Sequence, residues 1–439
     1  MDKAKWIWFA NSCGIASTEM GEIYHKFGSI DEIYLADYER YIAEGVSEKT
    51  AEHLSDKSLD EAIRISRDCI DMGVEILVYS DDRYPRSLRS LKDAPAILYC
   101  LGELPDMNRM LCISVVGTRS MSEYGMKTAY KIAYETASAG AIIISGMAIG
   151  IDSVAHSATI AAGGRTIAVL GCGIDVVYPR AHAKLRGEII KNGAIITEFP
   201  PNSKPLGFHF PLRNRIISGL SQGTVVIDAS IDSGSMITAR DAILQGRDVF
   251  AVPSNIGSDN SEGTNLLIKE GAEVILSGSD IVKHYFYVYR NVVDLGGLKE
   301  GSRRSEFKAS ALTSLGVKAV GEALPSRVAF EKNGKPRKIN NSKGLAASQN
   351  VTAQTDAISV EDKCPEVTNI CGGDESNAAL MSLSEKHRKI FDEMPLDNAI
   401  STDYLVKAGF KLTEVIGALT VLEIKGLISS LPGALYIRK

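Results

Sequence analysis

The sequence is poor in the residues that build covalently stapled or metal-held scaffolds. Its 439 residues hold seven scattered cysteines: Cys13, Cys69, Cys100, Cys112, Cys172, Cys364 and Cys371. The number is odd and no Cys-x-x-Cys occurs. That argues against a disulfide framework or a zinc site and for a reduced, cytoplasmic chain. No apolar run reaches the roughly 18 residues that a membrane-spanning helix needs. The opening MDKAKWIWFANSC has too short an apolar stretch for a secretory signal. Basic charge is not in excess either. Lys and Arg number 49 against 54 Asp and Glu, a formal net charge of −5. This argues against bulk attraction to a polyanion and leaves open a local basic groove. Familiar catalytic signatures are also missing. No Gly-x4-Gly-Lys-Ser/Thr loop is present, and no His-Glu-x-x-His. Gly171-Cys172-Gly173 lacks the third glycine of the dinucleotide fingerprint. No cofactor and no metal are expected.

What is present is an apolar fraction of 45%, enough for a sizeable core, distributed in four regions. Residues 1–70 read as short amphipathic helices separated at Gly14, Gly28 and Gly45. Such a helical domain of the helix-hairpin-helix kind can offer backbone N–H groups to a DNA phosphate, or can simply pack. Residues 71–290 alternate strand and helix. Strands are expected at Glu75–Tyr79, Ala96–Leu101, Leu111–Val116, Ala141–Ser145, Thr166–Leu170, Ala194–Glu198, Thr224–Asp228, Asp248–Val252 and Glu273–Leu276. Many are continuous apolar runs, the pattern of a mostly parallel sheet covered on both faces in an α/β, Rossmann-like fold. Residues 291–378 lose this order, being basic in the first part and acidic over 351–380, and read as a disordered linker. Residues 379–439 read as three helices, Ser384–Glu393, Ser401–Ala408 and Thr413–Lys425, and a small hairpin, a winged helix.

Four small-residue turns follow apolar strands in the α/β region: Gly117-Thr118-Arg119, Ser145-Gly146 through Gly150, Gly171-Cys172-Gly173, and Ser233-Gly234-Ser235. Ligands of parallel sheets lie beyond the carboxyl ends of the strands, so these turns predict one shared groove of backbone N–H groups suited to phosphate. Arg119, two residues past a glycine, can fork onto phosphate oxygens. Arg180 follows the rigid Tyr178-Pro179 step. Phe208 and Phe210 lie among polar loop residues just ahead of Arg213-Asn214-Arg215, where a helix is expected over Arg213–Ser221, and an aromatic beside cations is the usual way to hold single-stranded nucleic acid. Asp152 and Asp175 either hold ribose hydroxyls or form turns. His156, His182 and His209 show no spacing that favours a metal or a triad.

The run Phe210-Pro211-Leu212-Arg213-Asn214-Arg215-Ile216-Ile217-Ser218-Gly219-Leu220-Ser221 resembles the signature of the DNA-processing protein DprA (Smf) family. So do Val116-Gly117-Thr118-Arg119, Ser145-Gly146 with Gly150-Ile151-Asp152, Tyr178-Pro179, Ser233-Gly234-Ser235 with Thr238-Ala239, and Val249 to Pro253. The resemblance implies an extended Rossmann-like domain that binds single-stranded DNA without established enzyme activity. It also implies a sterile-alpha-motif-like N-terminal domain, a homodimer, and loading of RecA onto incoming strands during natural transformation. The family's DNA-contacting positions fall on Arg119, Arg180 and Phe210 to Arg215. Its self-association region falls near Leu266, Leu267 and Ile268. Two departures stand out: Ser254 follows Pro253 where the family continues with Gly, and the linker is long. Two other readings remain open. One is a Rossmann-fold nucleotide-phosphate hydrolase, although the turn from Ser233 ends in Arg240 where that family carries a catalytic Glu. The other is a general recombination scaffold.

Overall fold

The computed structural model describes residues 2–318 and, towards the C terminus, residues 385–395 and parts of 400–438. The chain divides into two units, Met1–Ser326 and Arg327–Lys439.

The first unit opens with six helices: Asp2–Cys13, Met20–Phe27, Ile30–Leu35, Tyr38–Ala43, Glu48–Ser55 and Asp60–Asp71. Their boundaries follow from local chemistry. Ser29, Asp37 and Ser47 cap the third, fourth and fifth by accepting from Glu32, Arg40 and Thr50 N–H groups. Gly28 ends the second in the left-handed region at φ 77°, where a side chain would be strained. Trp6, Ile7, Trp8 and Phe9 of the first helix are buried. They belong to the same apolar core as the sheet that follows.

That sheet has nine strands: β1 Glu75–Val78, β2 Ile97–Gly102, β3 Cys112–Val116, β4 Ile142–Ser145, β5 Thr166–Val169, β6 Gly193–Thr197, β7 Gly223–Val226, β8 Asp248–Ala251 and β9 Glu273–Val274. Their order is β1-β2-β6-β5-β4-β3-β7-β8-β9. Pairing is parallel from β6 to β9 and antiparallel at β1–β2 and β2–β6. Every residue of β3 to β7 is buried, as two-sided covering by helices requires. The sequence reading thus holds for all nine strands. The strand order reverses between β3 and β7, but that point is closed: Thr118 N–H donates to the Asp228 carbonyl at 2.6 Å, and Asp228 accepts from Ser122 N–H at 2.7 Å.

The expectation of a linker from residue 291 is corrected over 291–317. This stretch forms helices Leu295–Arg304 and Ala309–Ser314, packed on helices Glu123–Ser138 and Ile151–Ala161 respectively. Composition hid them because the buried residues are few. Leu298, Leu312 and Val317 reach the core, while Gly297 and Gly301 allow close approach to Ser138. The remainder of the expected linker, through 378, lies outside the described residues. In the second unit, helix Glu385–Glu393 and strands Ile400–Ser401, Ile428–Leu431 and Leu435–Arg438 are described. The strands form an antiparallel sheet over a core that includes Ile390, Phe391, Leu405 and Leu422. The helices expected over Ser401–Ala408 and Thr413–Lys425 lie largely outside the described residues.

Leu312→Ala is expected to lower the stability of the first unit by about 2–5 kcal/mol, the range for truncating a buried leucine, in urea unfolding. A loss below about 0.5 kcal/mol would return residues 309–317 to the status of a tether.

Candidate nucleic-acid interface

Beyond the carboxyl ends of β3, β4 and β5 lies a cleft of about 40 Å³, lined among others by Arg119, Gly146, Met147, Gly171, Tyr178 and Phe210. Its turns are pressed together where glycine is obligatory. A Cβ on Gly117 would sit 2.5 Å from Ile151 Cγ1. Gly150 adopts φ +97°, and a Cβ there would strike the Thr118 carbonyl. Met147, a residue with a side chain, holds φ 56° between them and is fully buried.

Under the cleft runs helix His209–Gly219. The sequence reading began this helix at Arg213 and left Phe208 and Phe210 in a loop. The earlier start at His209 puts Phe210 on the helix, one turn ahead of Arg213. Arg213, Ile216, Ile217 and Leu220 fall on one face, and all are buried. Arg213, 4% exposed, donates from Nη1 to the Gly146 carbonyl at 2.8 Å and to the Val169 carbonyl. Its charge is opposed by buried Asp152, whose Oδ2 accepts from Gly146 N–H at 3.2 Å and Ala148 N–H at 3.3 Å. Burial brings the Arg213 guanidinium down to about 10, against the Asp152 charge, and it stays charged at neutral pH. Burial likewise raises the Asp152 carboxyl, with Arg213 acting in the opposite direction.

Residues 75–286 match the family model described as DNA recombination-mediator protein A. The DNA processing protein DprA of Streptococcus pneumoniae is 42% identical over 205 residues, 47% of this chain and 72% of that protein. That of Bacillus subtilis is 40% identical over 211 residues, 48% of this chain and 71% of that protein. The solved structure of Streptococcus pneumoniae DprA aligns with a TM-score of 0.58 and 33% identity, covering 64% of this chain and 98% of that one. The chain belongs to the DprA (Smf) family. It is a DNA-processing recombination mediator by that membership.

In this DprA family member the sequence-predicted site residues separate into two groups. Arg119, Gly146 and Phe210 line the cleft, and exposed Arg180 follows its lining residue Pro179. Arg119 is exposed, its guanidinium 5.5 Å from the centre of the Phe210 ring, and no salt bridge holds it among the described residues. Phe210 is half-buried, with Tyr178 5.4 Å and the Arg213 guanidinium 5.9 Å from its ring centre. Phe208 is 64% exposed and is the more open ring.

The second group is structural. Arg213 is the internal brace described above. Arg215 is equally buried and pairs with Glu198 and, at 3.4 Å, with Asp93. Asn214 donates to the Gly234 carbonyl at 3.2 Å, tying its helix to helix Gly234–Leu244. None of the three presents its polar group at the cleft mouth as the sequence reading expected. The reason is that the helix is buried on every side from Arg213 to Gly219, so its polar groups turn to internal partners. Ser145 is buried, its hydroxyl bonded to the Val115 carbonyl. Gly117, Thr118 and Gly150 shape the turns. Ser233 caps helix Gly234–Leu244, and Ser233, Gly234 and Ser235 do not line the cleft, so one groove does not unite all four turns. The expected wealth of backbone donors is also reduced, because Gly146 and Ala148 N–H groups bond Asp152. Those of Met147, Ile149 and Gly171, which line the cleft, have no partner among the described residues.

Leu267, expected on an association surface, is buried in the core, and Leu266 and Ile268 are half-buried. His156 and His182 are buried, bonded to Thr166 at 2.7 Å and to the Met147 carbonyl at 3.1 Å. Asp175 accepts from Asn202 N–H at 2.8 Å, a turn contact. Sequence reasoning counted no Gly-x-Ser-x-Gly elbow, yet Gly219-Leu220-Ser221-Gln222-Gly223 has that spacing. It runs from helix to strand, and the Ser221 hydroxyl is buried against the Ile217 carbonyl, so it is no elbow.

Arg213→Met leaves Asp152 buried without its cation and is expected to cost about 3–5 kcal/mol of stability in urea unfolding. A variant as stable as the parent would show that the guanidinium does not brace the turns.

Proposed function

We propose that this chain binds single-stranded DNA across the cleft beyond β3, β4 and β5 and passes it to RecA, acting in the cytoplasm as a homodimer. The observation that carries the reading is Arg119, exposed and without a salt bridge among the described residues, beside the Phe210 ring at the cleft. A guanidinium so placed can fork onto phosphate oxygens. Arg180 supplies a second cation, and the N–H group of half-buried Ile149 supplies a neutral donor. Phe208 offers a ring face on which a base can stack. A volume of about 40 Å³ does not enclose a base. Ligand pockets that do enclose their occupant run to about 300–1,000 Å³. The strand therefore lies across the cleft and is held by backbone and stacking, which is indifferent to sequence and needs unpaired bases.

A mediator has to hand its strand to a recombinase, and RecA is the recipient to which this reading commits. For the second copy, the open edge at β9 is better suited than Leu266 to Ile268. Val274 and Leu276 there are 45% and 70% exposed, next to a strand edge that is unpaired among the described residues. No helix among the described residues is long and apolar enough to cross a membrane.

The hydrolase reading has less support. No carboxylate or imidazole is among the residues lining the cleft, and burial pushes the Cys172 thiol there up to about 11, away from the reactive thiolate. Release of base from nucleoside monophosphates by the purified chain would reinstate it.

Arg119→Ala and Arg180→Ala should each weaken single-strand binding for all sequences alike and reduce the slope of log K against log salt by about 0.7. Phe208→Ala should cost about 1–3 kcal/mol of affinity at an unchanged salt slope and melting temperature. Unchanged slopes in both arginine variants would remove them as phosphate ligands. Leu276→Arg should convert dimers to monomers in light scattering, and a dimeric variant would move the interface elsewhere.

A further inference from the structure

We propose that the groove between helices Gly278–Tyr289 and Leu295–Arg304 is a docking site for an acidic peptide segment of a partner protein, one that carries apolar anchors among its carboxylates. The groove has a volume of about 730 Å³ and lies apart from the cleft. Phe286, Tyr287 and Leu295 give it apolar walls, and Lys283, Lys299 and Arg303 line it as cations. Tyr287 is 83% exposed, a large ring left open in a surface that normally covers such groups. The three cations form no salt bridge among the described residues, whereas Arg304 on the same helix pairs with Glu300 at 2.6 Å. Nearby acids are committed elsewhere: Asp280 caps its helix through Ser277 N–H at 3.0 Å, and Asp294 accepts from Gly296 N–H at 2.8 Å. An occupant with carboxylates around apolar side chains satisfies both features at once, as when an amphipathic helix enters a groove.

The walls are fixed before anything binds. Buried Glu135 accepts from Gly278 N–H at 2.8 Å and from the Ser305 hydroxyl at 3.1 Å, so one side chain pins the start of the first helix and the end of the second. A site formed in advance loses less entropy on binding. The second wall lies outside residues 75–286, the part that matches the family model. Phe286 and Tyr287 offer stacking faces to a nucleic-acid strand as well, and aliphatic Leu295 and Leu298 are what favour the apolar anchors of a peptide.

The test is fluorescence anisotropy with the full chain. The probe is a fluorescein-labelled peptide of about 14 residues, with Leu and Phe at i, i+3, i+4 and i+7 and Asp or Glu elsewhere. A twin carries Lys for every acid. The acidic probe should bind saturably and weaken with salt, and the Lys twin should not bind. Lys299→Glu with Arg303→Glu should weaken the probe by about tenfold or more, while single-stranded DNA affinity is retained. Lys299→Ala with Arg303→Ala repeats the test without new charge, and Tyr287→Ala tests the apolar anchor. The proposal is overturned by absence of saturable binding, by equal binding of the twin, or by indifference to these substitutions. It is also overturned if an oligothymidylate of about 20 nucleotides displaces the probe and loses affinity in the double variants, which would make the groove a nucleic-acid track.

Discussion

Arg213 carries a full positive charge into a position that is 4% exposed, and the backbone around it is arranged to answer that charge. Its guanidinium takes the carbonyls of Gly146 and Val169, at the ends of β4 and β5. Asp152 opposes it and in turn holds the N–H groups of Gly146 and Ala148. Two buried charges are costly unless each finds its partner and its hydrogen bonds. Satisfying them locks two strand ends, the turn between β4 and helix Ile151–Ala161, and the helix that bears Arg213 into one arrangement. A Cβ on Gly146 would lie 2.5 Å from that guanidinium, which leaves glycine alone at that point.

The cleft inherits its form from this brace. Phe210 is one turn ahead of Arg213 on the same helix, so fixing the arginine fixes the ring. Arg119 then stands beside that ring from the other strand end, exposed and without a salt bridge among the described residues. Internal and external arginines thus divide the work. The buried one shapes the surface, and the exposed ones are free to meet a ligand. A site whose supporting groups are themselves bonded loses little order on binding. Its openness fits a strand that must be accepted whatever its sequence.

The fold was largely legible from the residues. Most strands announce themselves as apolar runs, such as Ile142-Ile143-Ile144, and β3, β4 and β5 run into glycine turns. The antiparallel entry of β1 and β2 has no such signal, since pairing direction depends on how the chain returns rather than on composition. The site was legible as a place but not residue by residue. Arg213, Asn214 and Arg215 read as a basic patch because charge density in sequence carries no information about facing. Only the structure shows that the helix carrying them is buried on every side, so that all three turn to internal partners. Leu267 misled for the converse reason: an apolar run marks burial as readily as an interface. The helices after residue 291 were missed because Gly297 and Gly301 weaken the helical pattern while serving close packing.

The account's central claim is that Arg213 works from inside and Arg119 from outside. A crystal structure of the chain with a short oligothymidylate tests it most directly. The account predicts a phosphate within hydrogen-bonding distance of the Arg119 guanidinium, and Arg213 still bonded to the Gly146 and Val169 carbonyls. A phosphate held by Arg213 in place of those carbonyls, or a strand bound away from the cleft, would contradict it.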